Sequence, residues 1–211
     1  MIDPQTLRDA EQQLAQTDRK LARLISAHGP CTLGQKKRDP FHVLCGSIIS
    51  QQLSVKAADT IQGRVADALG AGKRFVPGHF LAAEHEQLRA CGLSNAKARW
   101  LRALAEAVDS GELSFKQLQK LDDEAAIKAL DALPGIGRWT AEMFLIFAMD
   151  RLDIFSLGDV GLRNAMNRVH NGGEKLDDEA TLQLAAAWAP YRSVGAWYLW
   201  RSSDGDVEAW A

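Results

Sequence analysis

Apolar positions recur along this chain with a helical period almost from end to end, and no stretch of useful length alternates as a strand would. Gln5 to His28 carries Leu7, Leu14, Leu21, Leu24 and Ile25, a narrow apolar stripe that predicts one long helix ending near Gly29-Pro30. Asp39-Pro40 opens the next, because proline at the first helical position lacks only an N–H that would have no helical partner there. Within it Phe41, Leu44, Cys45, Ile48 and Ile49 share a single buried face. Ser54 is placed to cap a helix with Val55, Ala58, Ile61, Val65 and Leu69 inward and Gly70 as its stop. Further helices are predicted from Asn95 to Val108 behind Ser94, from Asp122 or Asp123 to Leu133, and from Arg138 to Met149. The last three run from Val160 to His170 before Asn171-Gly172-Gly173, from Asp177 to Trp188, and from Pro190 to about Trp200. The expected fold class is all-α with short connections and no repeats.

Composition fits that reading: 46% apolar and 25% charged residues are ordinary for a globular chain, and 211 residues suit one domain or two small helical lobes. No run of about 18 apolar residues offers a membrane span, and Met1 to Arg8 lacks the charged-then-apolar order of a secretory signal. Cys31, Cys45 and Cys91 are odd in number and widely spaced, so they fit neither a disulfide framework nor a zinc or iron–sulfur ligand set. They are expected as idle thiols in a reducing cytoplasm. The net charge of −2 withholds the basic footprint usual in DNA binders. Its distribution is uneven, however. Acids crowd into Asp122–Glu124, Asp177–Glu179 and Asp204–Glu208, while Lys36-Lys37-Arg38 and the group Lys97, Arg99 and Arg102 form two basic runs. Charge alone leaves nucleic acid open.

Two segments carry candidate chemistry. In Leu133-Pro134-Gly135-Ile136-Gly137-Arg138-Trp139-Thr140-Ala141 one helix stops and another starts across two glycines. Such a hairpin bares backbone N–H groups at a helix N-terminus, an anion site suited to a DNA phosphate and indifferent to base sequence. A plain helix–helix turn would use the same residues. Asp159, in Leu157-Gly158-Asp159-Val160-Gly161, stands twenty positions after Trp139 at a predicted helix start. There it is either an N-cap or a carboxylate poised for reaction.

Taken together, the two segments resemble the helix-hairpin-helix (HhH-GPD) DNA glycosylase superfamily, and within it the alkylbase branch, the DNA-3-methyladenine glycosylase II type. The resemblance runs from about Pro40 to Trp200 and includes Ile48-Ile49-Ser50-Gln51-Gln52-Leu53-Ser54, Gly92-Leu93-Ser94-Asn95-Ala96-Lys97 and Pro190-Tyr191-Arg192-Ser193. It implies a compact two-lobed fold, one lobe about 41–155 and the other about 1–40 with 156–211, and a cleft holding Asp159, Trp139 and Trp200. The partner would be double-stranded DNA with a damaged base, met by a monomer in the cytoplasm, at the nucleoid in a bacterium, with no membrane involved.

The resemblance also implies roles. Gln51, Gln52 and Leu53 would belong to the loop that plugs the space left by a flipped base. Gly135, Gly137, Arg138, Thr140 and Lys97 would meet the DNA backbone. Trp139, Trp200 and Met143 would line the base pocket, where a cationic methylated purine over an indole gains roughly 0.5–2 kcal/mol. Asp159 would stabilise the oxocarbenium-like sugar and orient water. Met143 stands where relatives can carry an aromatic, which leaves base preference open. In strand-cutting relatives position 139 is a Lys that attacks the sugar; with Trp there, base removal without strand cleavage is expected. No cysteine follows Cys91, so no iron–sulfur cluster is expected, and the only ion allowed for is a monovalent cation at the hairpin with DNA. Two alternatives stand beside this: a glycosylase for a neutral damaged or mismatched base, with Glu142 as candidate donor, and a catalytically silent DNA-binding module.

Overall fold

The computed structural model of the protein describes residues 1–203; the acidic tail Asp204–Glu208 lies outside the described residues. Among these, thirteen helices and no strands are found. They are α1 (Pro4–Thr17), α2 (Arg19–His28), α3 (Pro40–Ser50), α4 (Val55–Ala68), α5 (Pro77–Ala82), α6 (His85–Ala90) and α7 (Asn95–Asp109). Then follow α8 (Phe115–Leu118), α9 (Asp123–Asp131), α10 (Arg138–Ala148), α11 (Val160–His170), α12 (Asp178–Ala186) and α13 (Arg192–Ser202). No described helix is long and apolar enough to cross a membrane. The chain divides into two compact units, and the division falls inside α10, between Phe144 and Leu145 rather than near residue 155.

The unit from Arg38 to Phe144 is built on α3 and α7. Asp39 caps α3, accepting from the His42 N–H at 3.0 Å. The expected face of Phe41, Leu44, Cys45, Ile48 and Ile49 is buried throughout. Phe80 of α5 fills the layer beside it, its ring 6.0 Å from Phe41 and 5.3 Å from Phe75. Each such fully buried side chain contributes about 1.5–3 kcal/mol. The face of α4 is narrower than its sequence suggests. Ala58 and Val65 are buried and Ile61 and Leu69 half-buried, but Val55, first in the helix, is exposed. Helices α5, α6 and α8 carry no sequence signal, because six, six and four residues are too few for a helical period to declare itself.

The other unit joins Met1–Lys37 to the chain from Leu145 onward. Its centre is α13, which packs on α1, α2, α11 and α12 and buries every residue from Ser193 to Leu199. The long helix expected over residues 5–28 is broken at Asp18. That residue takes an extended conformation and caps α2, its Oδ1 accepting from the N–H groups of Lys20 at 2.8 Å and Leu21 at 3.1 Å. Its Oδ2 receives the Trp188 indole N–H at 3.0 Å and His170 Nε2 at 2.8 Å. A short carboxylate with four donors around it outcompetes one more turn of helix. Pro190, joined to Ala189 by a cis peptide bond, likewise does not open the last helix: α13 begins at Arg192, with Tyr191 as its N-cap.

Candidate active site

The chain leading to Asp159 is held by the first turn of α13. The Arg192 guanidinium grips Asp153 with two parallel hydrogen bonds, Nε to Oδ1 at 2.8 Å and Nη2 to Oδ2 at 3.0 Å. This forked geometry is among the stronger pairings available to a side chain. The Ser193 N–H donates to the Leu152 carbonyl at 2.9 Å, and Ser193 Oγ accepts from the Ile154 N–H at 2.9 Å. Ile154, Phe155 and Ser156 are buried behind this clamp. A turn closed by the Asp159 N–H on the Ser156 carbonyl (3.1 Å) then sets Asp159, half-buried, between exposed Gly158 and Val160.

Asp159 is the N-cap of α11, as its position in sequence suggests, with Oδ1 accepting from the Leu162 N–H at 2.6 Å. The same oxygen receives the indole N–H of Trp200 at 3.0 Å. The sequence suggests Trp200 as an aromatic wall, and its ring does lean on Phe147, with centroids 5.6 Å apart. Its polar edge is tied to the carboxylate, which periodicity could not disclose. Two N–H donors on one oxygen fix the carboxylate's orientation.

In the unit from Arg38 to Phe144, the hairpin between α9 and α10 uses its two glycines differently. Gly135 sits at φ +84°, and a Cβ there would come within 2.5 Å of the Trp100 ring, so the turn itself demands glycine. Gly137 has no positive φ and nothing within 4 Å of where a Cβ would stand. The chain does not require glycine there; a backbone approaching from outside would. An open groove of about 520 Å³ follows this turn, walled by Gln51, Trp100 and Pro134 among others.

The other hairpin residues depart from expectation. Arg138 was expected on a phosphate, yet its guanidinium is engaged by two carboxylates. Nη1 and Nη2 meet Glu124 at 2.9 and 2.8 Å, and Nε meets Glu142 at 2.9 Å. Thr140 is buried, so its side chain faces the interior. Glu142, the candidate donor of the neutral-base alternative, is buried and acts as an acceptor toward Arg138. Trp139 is 36% exposed on the first turn of α10, with Met143 buried one turn further on.

The loop after α3 is a tight turn closed by the Leu53 N–H on the Ser50 carbonyl at 3.1 Å. Gln52 occupies it at φ +59°, a conformation costing a non-glycine residue on the order of 1 kcal/mol or more. Gln52 and Leu53 are exposed, while half-buried Gln51 donates its Nε2 to the Gly135 carbonyl at 2.8 Å. Lys97 does not reach outward as expected of a phosphate contact. Its ammonium donates to the carbonyls of Ile49 at 2.8 Å and Gln51 at 2.6 Å. Sequence reasoning assigned no part to Trp100, Glu124 or Arg192. Only Arg192 carried a signal, in Pro190-Tyr191-Arg192-Ser193.

The comparisons with known proteins agree with this architecture. A sequence model described as HhH-GPD superfamily base excision DNA repair protein matches residues 45–190. The DNA-3-methyladenine glycosylase 1 of Schizosaccharomyces pombe is 33% identical over 186 residues, 88% of this chain and 81% of that protein. Among solved structures, a DNA-3-methyladenine glycosidase from Bacillus halodurans superposes with a TM-score of 0.83 at 39% identity, covering 91% of this chain and 87% of its own. A 3-methyladenine DNA glycosylase from S. pombe, in complex with abasic DNA, superposes with a TM-score of 0.80 at 32% identity, covering 93% and 97%.

Proposed function

The chain belongs to the HhH-GPD superfamily of base excision DNA repair proteins, and on that footing we propose that it removes alkylated purines of the 3-methyladenine type from duplex DNA as a monofunctional glycosylase. The names of the relatives support the substrate class. The observation that carries the chemistry is the Asp159 carboxylate, half-buried between exposed neighbours with one oxygen held by Leu162 N–H and Trp200 Nε1–H.

A base inside the duplex is out of reach, so it is flipped out and the gap filled. The exposed Gln52 suits the plug: the turn keeps a large polar side chain where glycine would be less strained. Gly137 suits close approach of a phosphate to the start of α10. At the sugar, the bond from C1′ to the purine nitrogen breaks and its electron pair leaves with the base. An alkylated purine is cationic and departs neutral, so no second acid is needed to protonate it, unlike in ordinary glycosidases. Positive charge grows at C1′ and the ring oxygen, and the preorganised Asp159 carboxylate stabilises it. Water adds to C1′ and gives its proton to the carboxylate and on to solvent. Position 139 carries a partly exposed Trp, whose indole suits a cation and which has no amine to attack the sugar.

The test is a base-release assay on methylated duplex DNA. The expected products are free methylated purine and a strand that breaks only on alkali treatment, with no adduct trapped by borohydride. A covalent enzyme–DNA adduct formed at the rate of turnover would contradict the monofunctional reading, and absence of base release would contradict the activity itself.

A further inference from the structure

Helix α3 ends in a run of carbonyls that the helix cannot satisfy, and the structure shows where several of them go. The Ser47 carbonyl accepts from Ser50 Oγ at 3.1 Å and the Ser50 carbonyl from the Leu53 N–H at 3.1 Å. The carbonyls of Ile49 and Gln51 are taken by one group, the Lys97 ammonium, which reaches them from α7 at 2.8 and 2.6 Å. A lysine at the solvent edge gains most by staying hydrated. Here burial lowers its affinity for the proton, and the ammonium is instead spent on two backbone acceptors flanking the tightest turn of the loop. A second tie comes from the Gln51 side chain, which donates to the Gly135 carbonyl of the hairpin.

We infer that Lys97 is a positioning residue for the plug: with the Gln51 tie, it braces the turn that presents Gln52 in its left-handed conformation and joins that turn to the hairpin. The inference rests on the assignment of Gln52 as the plug. A turn with a strained residue at its tip relaxes unless its neighbours over-determine it, and Lys97 from α7 and Gln51 toward the hairpin supply that constraint. The brace would let the loop enter the duplex already shaped, rather than order itself as the base leaves. Lys97 therefore acts through Gln52 and not through a phosphate.

A double-mutant cycle separates these roles. Wild type, Lys97→Met, Gln52→Ala and the double variant are compared in single-turnover release of methylated purine from duplex DNA. The salt dependence of their binding to undamaged duplex is measured alongside. Methionine keeps the apolar stem and removes the donors. Each single variant is expected to lose about tenfold in rate. The double variant should lose no more than the worse single, because both act through one turn. The slope of log affinity against log salt should match that of wild type. Losses that multiply in the double variant would overturn the inference, as would a Lys97→Met slope shallower by about one, the mark of a lost phosphate contact. If Lys97→Met does not fold, Gln51→Leu removes the other tie and enters the same cycle. If the wild type releases no methylated base, the glycosylase reading fails, and the salt slope, which needs no catalysis, still decides between brace and phosphate contact.

Discussion

Asp18 and Asp159 occupy the same local position in the same compact unit. Each precedes a helix, each caps it with Oδ1, and each accepts the indole N–H of a tryptophan, Trp188 in one case and Trp200 in the other. What surrounds them differs. Asp18 has a side chain only 13% exposed and is enclosed by His170 as well, at 2.8 Å. Burial raises its pKa, but the His170 hydrogen bond, the Leu21 N–H, the His170 charge and the Lys20 N–H outweigh that and hold the carboxyl well below the usual range. Asp159 stands between exposed neighbours, on a segment clamped from behind by Arg192 and Ser193. The same capping chemistry is enclosed by His170 and Trp188 in one place and set between exposed neighbours in the other, which suits only the second for meeting a substrate.

The largest effect that would sharpen this contrast is on activity. Asp159→Asn keeps an oxygen for both N–H donors and removes the charge. Base release is expected to fall roughly 10²–10³-fold, the scale of one lost transition-state partner, with the melting temperature unchanged. A variant near wild-type activity would reduce Asp159 to a cap. Asp18→Asn should do the opposite. It turns an amide N–H toward the Trp188 and His170 donors, which costs about 2 kcal/mol and lowers the melting point by roughly 5 °C, while leaving the rate of base release intact at temperatures where the protein is folded.

Smaller effects follow. Trp200→Phe retains an aromatic face and loses the donor to Asp159. Base release should drop about tenfold, the weight of a hydrogen bond to a charged group. An unchanged rate would show that the indole N–H does not position the carboxylate. Asp18 should also leave a signature in acid. Because its folded pKa is depressed, its contribution is fully present above the unfolded carboxylate value near 4 and is lost as pH falls toward the lower folded one. Thermal melts across that range should therefore show an acid-side decline that is shallower in Asp18→Asn.

Much of this was legible in sequence where the determinants are local. Asp39-Pro40 marked the start of α3, and Val160 and His170 bounded α11 as read. The break at Asp18 was not legible, because an aspartate in a helical run reads as surface and its anchors His170 and Trp188 lie 152 and 170 positions away. In sequence, Lys97 and Arg138 point to phosphate, because a basic side chain near a glycine turn invites it. The acceptors of Lys97 are backbone carbonyls, which side-chain patterning never displays. Arg138 meets Glu124, a member of an acidic cluster read only as charge. For Asp159, spacing from the hairpin and the family resemblance named the residue, while the two donors that orient it appear only in the fold.

The central claim is that Asp159 serves as a charge opposed to a charge at the sugar. Binding to duplex DNA with a cationic pyrrolidine in place of the sugar, set against the neutral tetrahydrofuran analogue, tests it most directly, since a transition-state mimic should bind in proportion to the stabilisation it captures. The wild type is expected to favour the cationic analogue by roughly 10²-fold, and Asp159→Asn to lose that preference while binding the neutral analogue as before. A preference that survives in Asp159→Asn would contradict the account.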